Sequence, residues 1–282
     1  MPGTKRLDVW LADAEHFRSR NRAQQAIKKG LVTVDGEVAT RASMKVSAAS
    51  IIRVTGGHRY VGRGGEKLEA ALTLFELDVT GLTVLDAGAS TGGFTDCLLQ
   101  RGAGFVCAVD VGHDQLDQRL RRDPRVKNLE GVNLREARVS GFPGHPFDLA
   151  VCDLSFISVT RVLAALRDAV RPGAHILVLV KPQFEAGPDN VGRGGVVRSF
   201  RIHLEVLVRV ARFARSIPLL ACDCHHSPIL GAGGNMEFFL LLGRPPVADG
   251  RFRSEVEKDA GYMADCVERA HRELLQSPKG DA

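Results

Sequence analysis

From Thr83 onward, apolar runs of strand length alternate with stretches of helical length, and that alternation constrains the fold more than any other feature. The runs are Thr83–Ala89, Phe105–Val111, Val126–Leu129, Phe147–Leu154, His175–Val180, Leu219–Cys224 and Glu237–Leu242. Helices fit between most of them, at Phe94–Arg101, Val159–Val170 and Phe200–Arg215, and an amphipathic helix is expected from Glu255 to Leu275. Strands apolar along their whole length are those buried on both faces of a parallel sheet. The pattern predicts a doubly wound α/β domain, whose ligands bind beyond the carboxyl ends of the central strands.

The beginning of the chain follows a different pattern. Leu7, Trp10, Leu11 and Ala14 recur at helical spacing, and a second helix is expected from Arg22 to Lys29, stopped by Gly30. Val32-Thr-Val34 then meets Asp35-Gly36, a strong hairpin-turn signal, and Ile51–Val54 supplies a further short strand. This reads as a small α+β domain over residues 1–54, a Gly-rich linker over 55–65 and the α/β domain over 66–282. Charge separates the same way. The net charge is +5, yet residues 1–62 hold 11 Lys and Arg against 5 Asp and Glu, and the remainder holds 27 against 28. A basic head on a near-neutral body suggests a nucleic-acid surface, with Arg18, Arg20, Arg22, Lys28 and Lys29 placed to track phosphates.

Other classes are excluded or left with little support. No run reaches the roughly 18 apolar residues of a membrane helix, and the first twenty residues lack an apolar signal core. The six cysteines lie mostly in apolar stretches, which suits buried free thiols in a reducing cytoplasm. Cys222-Asp-Cys224-His225-His226 has zinc-ligand residue types but no second cluster to complete a set, so no metal is expected. No obligate protein partner is evident.

The run Val84-Leu-Asp86-Ala-Gly88-Ala-Ser90-Thr-Gly92-Gly93-Phe94 is a strand, a glycine turn and a helix start. A dinucleotide fingerprint would need glycine where Ser90 stands, and a phosphate-gripping loop would need a lysine. Gly88-Ala-Ser90-Thr-Gly92 also spells the nucleophile elbow of an α/β-hydrolase esterase, with Asp153 and His225 or His226 following in order. Against that, an elbow normally follows several sheet strands. The third reading is the S-adenosylmethionine (SAM) site of a class I methyltransferase with a Rossmann-like sheet. Asp86 would open the turn, Gly88, Ser90 and Gly92 would let backbone approach the methionine portion, and Asp110 would take the ribose hydroxyls. This reading accounts for more of the run, although the hydrolase stays open on the sequence.

Charged residues also close or begin several strands: Asp153 after Val151-Cys152, Lys181 after Val178-Leu-Val180, and Glu237 before Phe238, with Lys67 at the start of the body's first helix. Together they resemble the lysine-aspartate-lysine-glutamate set of RNA ribose 2′-O-methyltransferases of the FtsJ type. The whole chain is similar to the TlyA family of rRNA methyltransferases, some labelled hemolysins. The motifs carrying that resemblance are R-G-G-x-K-L at Arg63–Leu68, D-A-G-A-S-T-G-G-F-T-D at Asp86–Asp96, V-D-V-G at Val109–Gly112, D-L-S-F-I-S at Asp153–Ser158, K-P-Q-F-E at Lys181–Glu185 and G-N-x-E at Gly234–Glu237. The head similarly resembles the alpha-L RNA-binding motif at Arg22, Ile27–Gly30, Val32, Val34 and Asp35-Gly36.

The resemblance implies SAM-dependent methylation of cytidine 2′-hydroxyls in 16S and/or 23S ribosomal RNA, free or in ribosomal subunits. It puts Lys67, Asp153, Lys181 and Glu237 in the catalytic set, and adds Asn133 to Asp86, Gly88, Ser90, Gly92 and Asp110 around SAM. The chemistry is consistent with those residue types. A ribose hydroxyl is a poor nucleophile, and a positioned base that takes its proton assists transfer. An ammonium cannot do so, so Lys181 must act as the neutral amine, a form favoured by burial, a second cation and the sulfonium, and opposed by the two carboxylates. Base methylation fits less well: Asp153-Leu-Ser-Phe is not an amino-methylating Pro-Pro-aromatic motif, and Cys152 should face away from Asp153. Membrane lysis, the function behind the hemolysin label, would call for a strongly amphipathic basic helix. The C-terminal helix is the one candidate, and its charges are mixed.

Overall fold

The computed structural model describes residues 4–14, 17, 20–47, 50–54, 59–246 and 258–276. The chain divides into two compact units, Met1–Arg59 and Tyr60–Ala282.

In the first unit, β1 (Lys5–Arg6) leads into α1 (Leu7–Asp13), followed by α2 (Arg20–Lys28), β2 (Val32–Val34), β3 (Glu37–Val38), β4 (Lys45–Val46) and β5 (Ile52–Val54). β1 pairs with β4, and β3-β2-β5 form an antiparallel sheet. Gly30, at φ +71°, ends α2 as expected, and Asp35 and Gly36 both take positive φ in the β2–β3 turn. Leu7, Leu11, Ala23, Ile27, Val32 and Val34 make a core of their own, with Trp10 and Phe17 packed against it. α2 begins two residues earlier than its apolar spacing suggests. The carboxylate of Asp8, fully buried, accepts hydrogen bonds from Arg6, Arg20 and Gln24, and so fastens the start of α2 to α1.

The second unit opens with α3 (Arg63–Leu74), which starts inside the stretch expected as linker. Then come β6 (Thr83–Ala87), α4 (Gly93–Gln100), β7 (Phe105–Asp110), α5 (Gln118–Arg122), β8 (Val126–Glu130), β9 (Phe147–Cys152), α6 (Leu163–Ala169), β10 (Val170–Val180), α7 (Pro182–Glu185), α8 (Phe200–Ser216), β11 (Leu220–His226), β12 (Phe238–Gly243) and α9 (Ala260–Gln276). The sheet order is β11-β12-β10-β9-β6-β7-β8. β6 to β10 are parallel, whereas β12 runs antiparallel to both of its neighbours. Alternate residues feed opposite faces. Ile176, Val178 and Val180 join one core with Phe238 and Leu240, while Leu177 and Leu179 join the other with Phe239 and Leu241.

Two boundaries differ from expectation. The helix expected over Val159–Val170 is a short 3-10 turn at Val159–Arg161 followed by α6, and Val170 already pairs with Phe147. Pro172 and Gly173 (φ +83°) cannot extend a helix, so the chain enters β10 through an irregular step between Val170 and His175. Of the C-terminal helix, residues 255–257 lie outside the described residues.

Candidate active site

The strand order reverses beside β6, which has β7 on one side and β9 on the other. Such a crevice, beyond the carboxyl ends, is where this architecture binds ligands. Because β12 is antiparallel, its amino end reaches the same edge, and Val180 of β10 pairs directly with Phe238. Lys181 and Glu237 thus flank one register position on adjacent strands.

The turn after β6 is built around Gly88, at φ +89°, whose N–H and that of Ala89 both donate to Val109 O. A Cβ on Gly88 would lie 2.6 Å from the Asp153 carbonyl, and one on Gly92 (φ +95°) 2.2 Å from Leu120. Only glycine fits either place. Asp110, ending β7, accepts from Ser90 N at 2.8 Å and Gly112 N at 2.7 Å, tying the first turn to the second. Asp86 is fully buried: Oδ2 accepts from Thr95 at 2.6 Å, Oδ1 has no hydrogen-bond partner among the described residues, and burial raises its pKa to about 7. Asn133 is turned inward on its own loop, donating to Glu136 and accepting from Arg135 N. Val132 N nevertheless donates to Asp110 O, which brings that loop to the same edge.

The four residues of the expected catalytic set form two ion pairs. Lys67 Nζ lies 2.5 Å from Glu237 Oε2, both side chains nearly excluded from solvent. Lys181 Nζ lies 2.6 Å from Asp153 Oδ1 and donates to Ser155 Oγ at 2.8 Å. α3 joins the pairs: it carries Lys67, and a Cβ on its Gly64 would lie 3.8 Å from Asp153 Oδ2. Nothing places the two lysines in contact; each is matched to a carboxylate.

Residues 60–244 match the family model described as FtsJ-like methyltransferase. The chain belongs to the FtsJ-like methyltransferase family. This FtsJ-like methyltransferase also matches the S4 domain over residues 5–52. It is 41% identical over 267 residues to the 16S/23S rRNA (cytidine-2'-O)-methyltransferase TlyA of Mycobacterium tuberculosis, covering 94% of this chain and 96% of that one. Hemolysin A of Brachyspira hyodysenteriae is 37% identical over 83% of this chain and 97% of its own length. A solved structure from Streptococcus thermophilus, described as a hemolysin, covers 98% of both chains at a TM-score of 0.71 and 36% identity.

The alternatives raised by the sequence lose their geometry in the FtsJ-like methyltransferase. Ser90 Oγ donates to Gln115 Oε1 at 3.1 Å. His225 and His226 lie on β11, four strands from β6, a separation of about 19 Å at ordinary strand spacing. No esterase triad forms from these residues. The Cys152 thiol is buried in the core, its pKa pushed up to about 12, and is no nucleophile for a base. Cys224 instead sits 3.3 Å from Cys266 of α9, and all six cysteines are free. No described helix is long and apolar enough to cross a membrane.

Several residues beside the site carry roles that the sequence reading did not assign. A cavity of about 480 Å³ is lined by Arg135, Phe156, Ile157, Ser158, Arg161 and Phe184. Phe156, three residues after Asp153, is 90% exposed at φ +66°, with its ring centroid 5.2 Å from that of Phe184. Glu185 braces this loop by accepting from Ser158 Oγ and Val159 N, each at 2.7 Å. Phe156, Phe184 and Glu185 all fall inside motifs quoted above, but their conformations are tertiary facts. In the S4 domain, Arg20, Lys28 and Lys29 are exposed, and Arg20 is partly engaged by Asp8. Arg18 and the side chain of Arg22 lie outside the described residues.

Proposed function

We propose that the chain transfers the methyl group of SAM to the 2′-oxygen of cytidine ribose in ribosomal RNA, docked by the basic head over residues 1–54. The observation that carries this reading is the pairing of Lys67 with Glu237 and Lys181 with Asp153 at the strand ends that flank the glycine turn. Relatives described as rRNA (cytidine-2'-O)-methyltransferases include TlyA of Mycobacterium tuberculosis and, for 23S rRNA, TlyA of Campylobacter jejuni, 32% identical over 64% of this chain.

The residues fit SAM. The partnerless buried oxygen of Asp86 suits a cationic ligand, and the space a Cβ on Gly88 would fill is kept clear beside the Asp153 backbone. Asp86, Gly88, Ser90, Gly92 and Asp110 would hold it, with Asn133 shaping the neighbouring loop. Bound there, SAM supplies an electrophilic methyl group. Lys181 Nζ receives the 2′-hydroxyl proton as the oxygen attacks, which requires that it first release the proton it holds in its ion pair with Asp153. Asp153 and Ser155 fix its position. Lys67 and Glu237 hold the neighbouring strand end and present hydrogen-bonding groups to the ribose. The exposed Phe156 ring, with Phe184 behind it, offers a stacking face to an unstacked base. The free thiols and a ribosomal substrate together favour a cytoplasmic location.

The test is incubation with labelled SAM and separate small and large ribosomal subunits or their RNAs, with ribose methylation mapped by resistance to alkaline cleavage. Label at cytidine 2′-oxygens supports the reading. Absence of transfer to any ribosomal substrate defeats it.

A further inference from the structure

Asn235 lies two residues before Glu237 and is 2% exposed. Its side-chain amide is committed to holding backbone. Oδ1 accepts from Val197 N at 3.0 Å, and Nδ2 donates to Gly195 O and to Ala232 O, each at 2.9 Å. The carbonyl of the same Val197 lies 3.2 Å from His203 Nε2, whose other ring nitrogen meets His271 Nε2 at 2.9 Å. The loop between α7 and α8 is therefore fastened to the segment that leads through Glu237 into β12, and it follows α7, which starts directly after Lys181.

What this fastening presents is a tight turn. Gly195 N donates to Gly192 O, and Gly192 N donates to Val196 O, so Arg193 occupies the second position of a four-residue turn. Gly194 and Gly195 both have positive φ and open space around the α-carbon. Val196 and Val197 are buried beneath, whereas Arg193 is exposed. No described carboxylate pairs with Arg193 or with Arg198. Some guanidinium groups of the same unit are neutralised, Arg101 by Glu69, Arg121 by Glu130, Arg125 by Asp123, Arg167 by Asp168 and Arg171 by Asp148. Arg135 and Arg161 of the cavity lining share with Arg193 the lack of a described carboxylate partner, but neither is carried on a turn held by Asn235. A glycine turn that exposes an unpaired guanidinium and is hydrogen-bonded to the segment entering β12 beside Glu237 has the chemistry of a phosphate contact.

We propose that Arg193 grips a backbone phosphate of the RNA substrate, and that Asn235 is the positioning residue which keeps this turn in register with Glu237 and Lys181. The inference rests on the RNA-methylating reading above and adds to it an RNA contact outside the basic head.

The experiment measures binding of ribosomal RNA to the full-length protein over a series of salt concentrations, with RNA KM from labelled methyl transfer and SAM affinity by calorimetry. Arg193→Ala should weaken RNA binding several-fold, raise the KM for RNA, and reduce the slope of log affinity against log salt by about 0.7 to 0.9, the loss of one phosphate contact. Arg193→Lys should restore most of that slope. Asn235→Ala should impose a similar RNA penalty, and the double variant should bind RNA no more weakly than Asn235→Ala alone, because the released turn no longer presents its arginine. SAM affinity should be unchanged in Arg193→Ala. Should Asn235→Ala fail to fold, the two Arg193 variants still decide the phosphate contact. An unchanged salt slope in Arg193→Ala, or penalties that add in full, overturns this inference while leaving 2′-O-methylation intact. A wild-type protein that binds no ribosomal RNA overturns both.

Discussion

The residue on which the proposed mechanism turns is Lys181, whose Nζ is held between Asp153 and Ser155. Replacing a general base removes a contribution of about 10²- to 10⁴-fold to the chemical step. Lys181→Ala should therefore cut single-turnover methyl transfer by that factor while SAM and RNA binding persist. A variant that binds both normally and transfers at near wild-type rate removes Lys181 from the role. Asp86 carries a different prediction. Burial raises its pKa to about 7, so near neutral pH part of the free enzyme holds a proton there. A cationic ligand favours the carboxylate and expels that proton. SAM affinity should rise with pH up to about 7 and then level, and calorimetry in buffers of different ionisation enthalpy should register proton release below that pH. Asp86→Asn should abolish the release. The titrating strand-end residues were legible in the sequence because a charge closing an apolar run is visible without a fold. Ser155, Gln115 and Asn235 were not, since each acts through a partner that only the folded chain supplies.

Among elements, the parallel strands were the most legible, because β6, β7, β9 and β10 are buried on both faces and so read as unbroken apolar runs. The reversed β12 was not legible. Strand direction leaves no mark on composition, yet it is what brings Glu237 to the edge where Lys181 ends its strand. The α8–α9 contact was equally hidden, and it has a measurable signature. His203 of α8 is fully buried against Val197 O and His271, and its pKa falls from 6.5 to about 4, with burial the larger cause. Between those values the unfolded chain binds more protons than the native one, so this group's contribution is complete above pH 6.5 and is lost as pH falls toward 4. The shift corresponds to on the order of 3 kcal/mol. Asp86 pulls the other way over much of the same range, but it cancels in a comparison of wild type with His203→Gln. Urea unfolding at several pH values should show the stability advantage of wild type over His203→Gln shrinking as pH drops from 7 to 4.5. An advantage independent of pH would show that His203 is not held neutral by its burial.

Across the whole molecule, net charge misleads unless its pairing is followed. The body is nearly neutral by count, yet many of its arginines are matched to carboxylates, while others, Arg135, Arg161, Arg193 and Arg198 among them, have no carboxylate partner among the described residues. The head holds the larger surplus, and there too the count exceeds what is available: Arg6 and Arg20 share the buried Asp8. In the proposed docking, Lys28 and Lys29, both exposed at the end of α2, are therefore the better candidates for phosphate contacts. Each lysine that neutralises a phosphate releases counterions, so its removal lowers the salt slope by about 0.7 to 0.9. The double substitution of Lys28 and Lys29 to alanine should lower the slope of ribosomal RNA binding by about 1.5, a larger loss than Arg193→Ala alone. Because the proposed SAM residues Asp86 to Asp110 belong to the other unit, SAM affinity measured on the same preparation should stay at its wild-type value. A slope that does not move, or SAM binding that falls in parallel, would remove the head from RNA docking and leave phosphate capture to the arginines of the body.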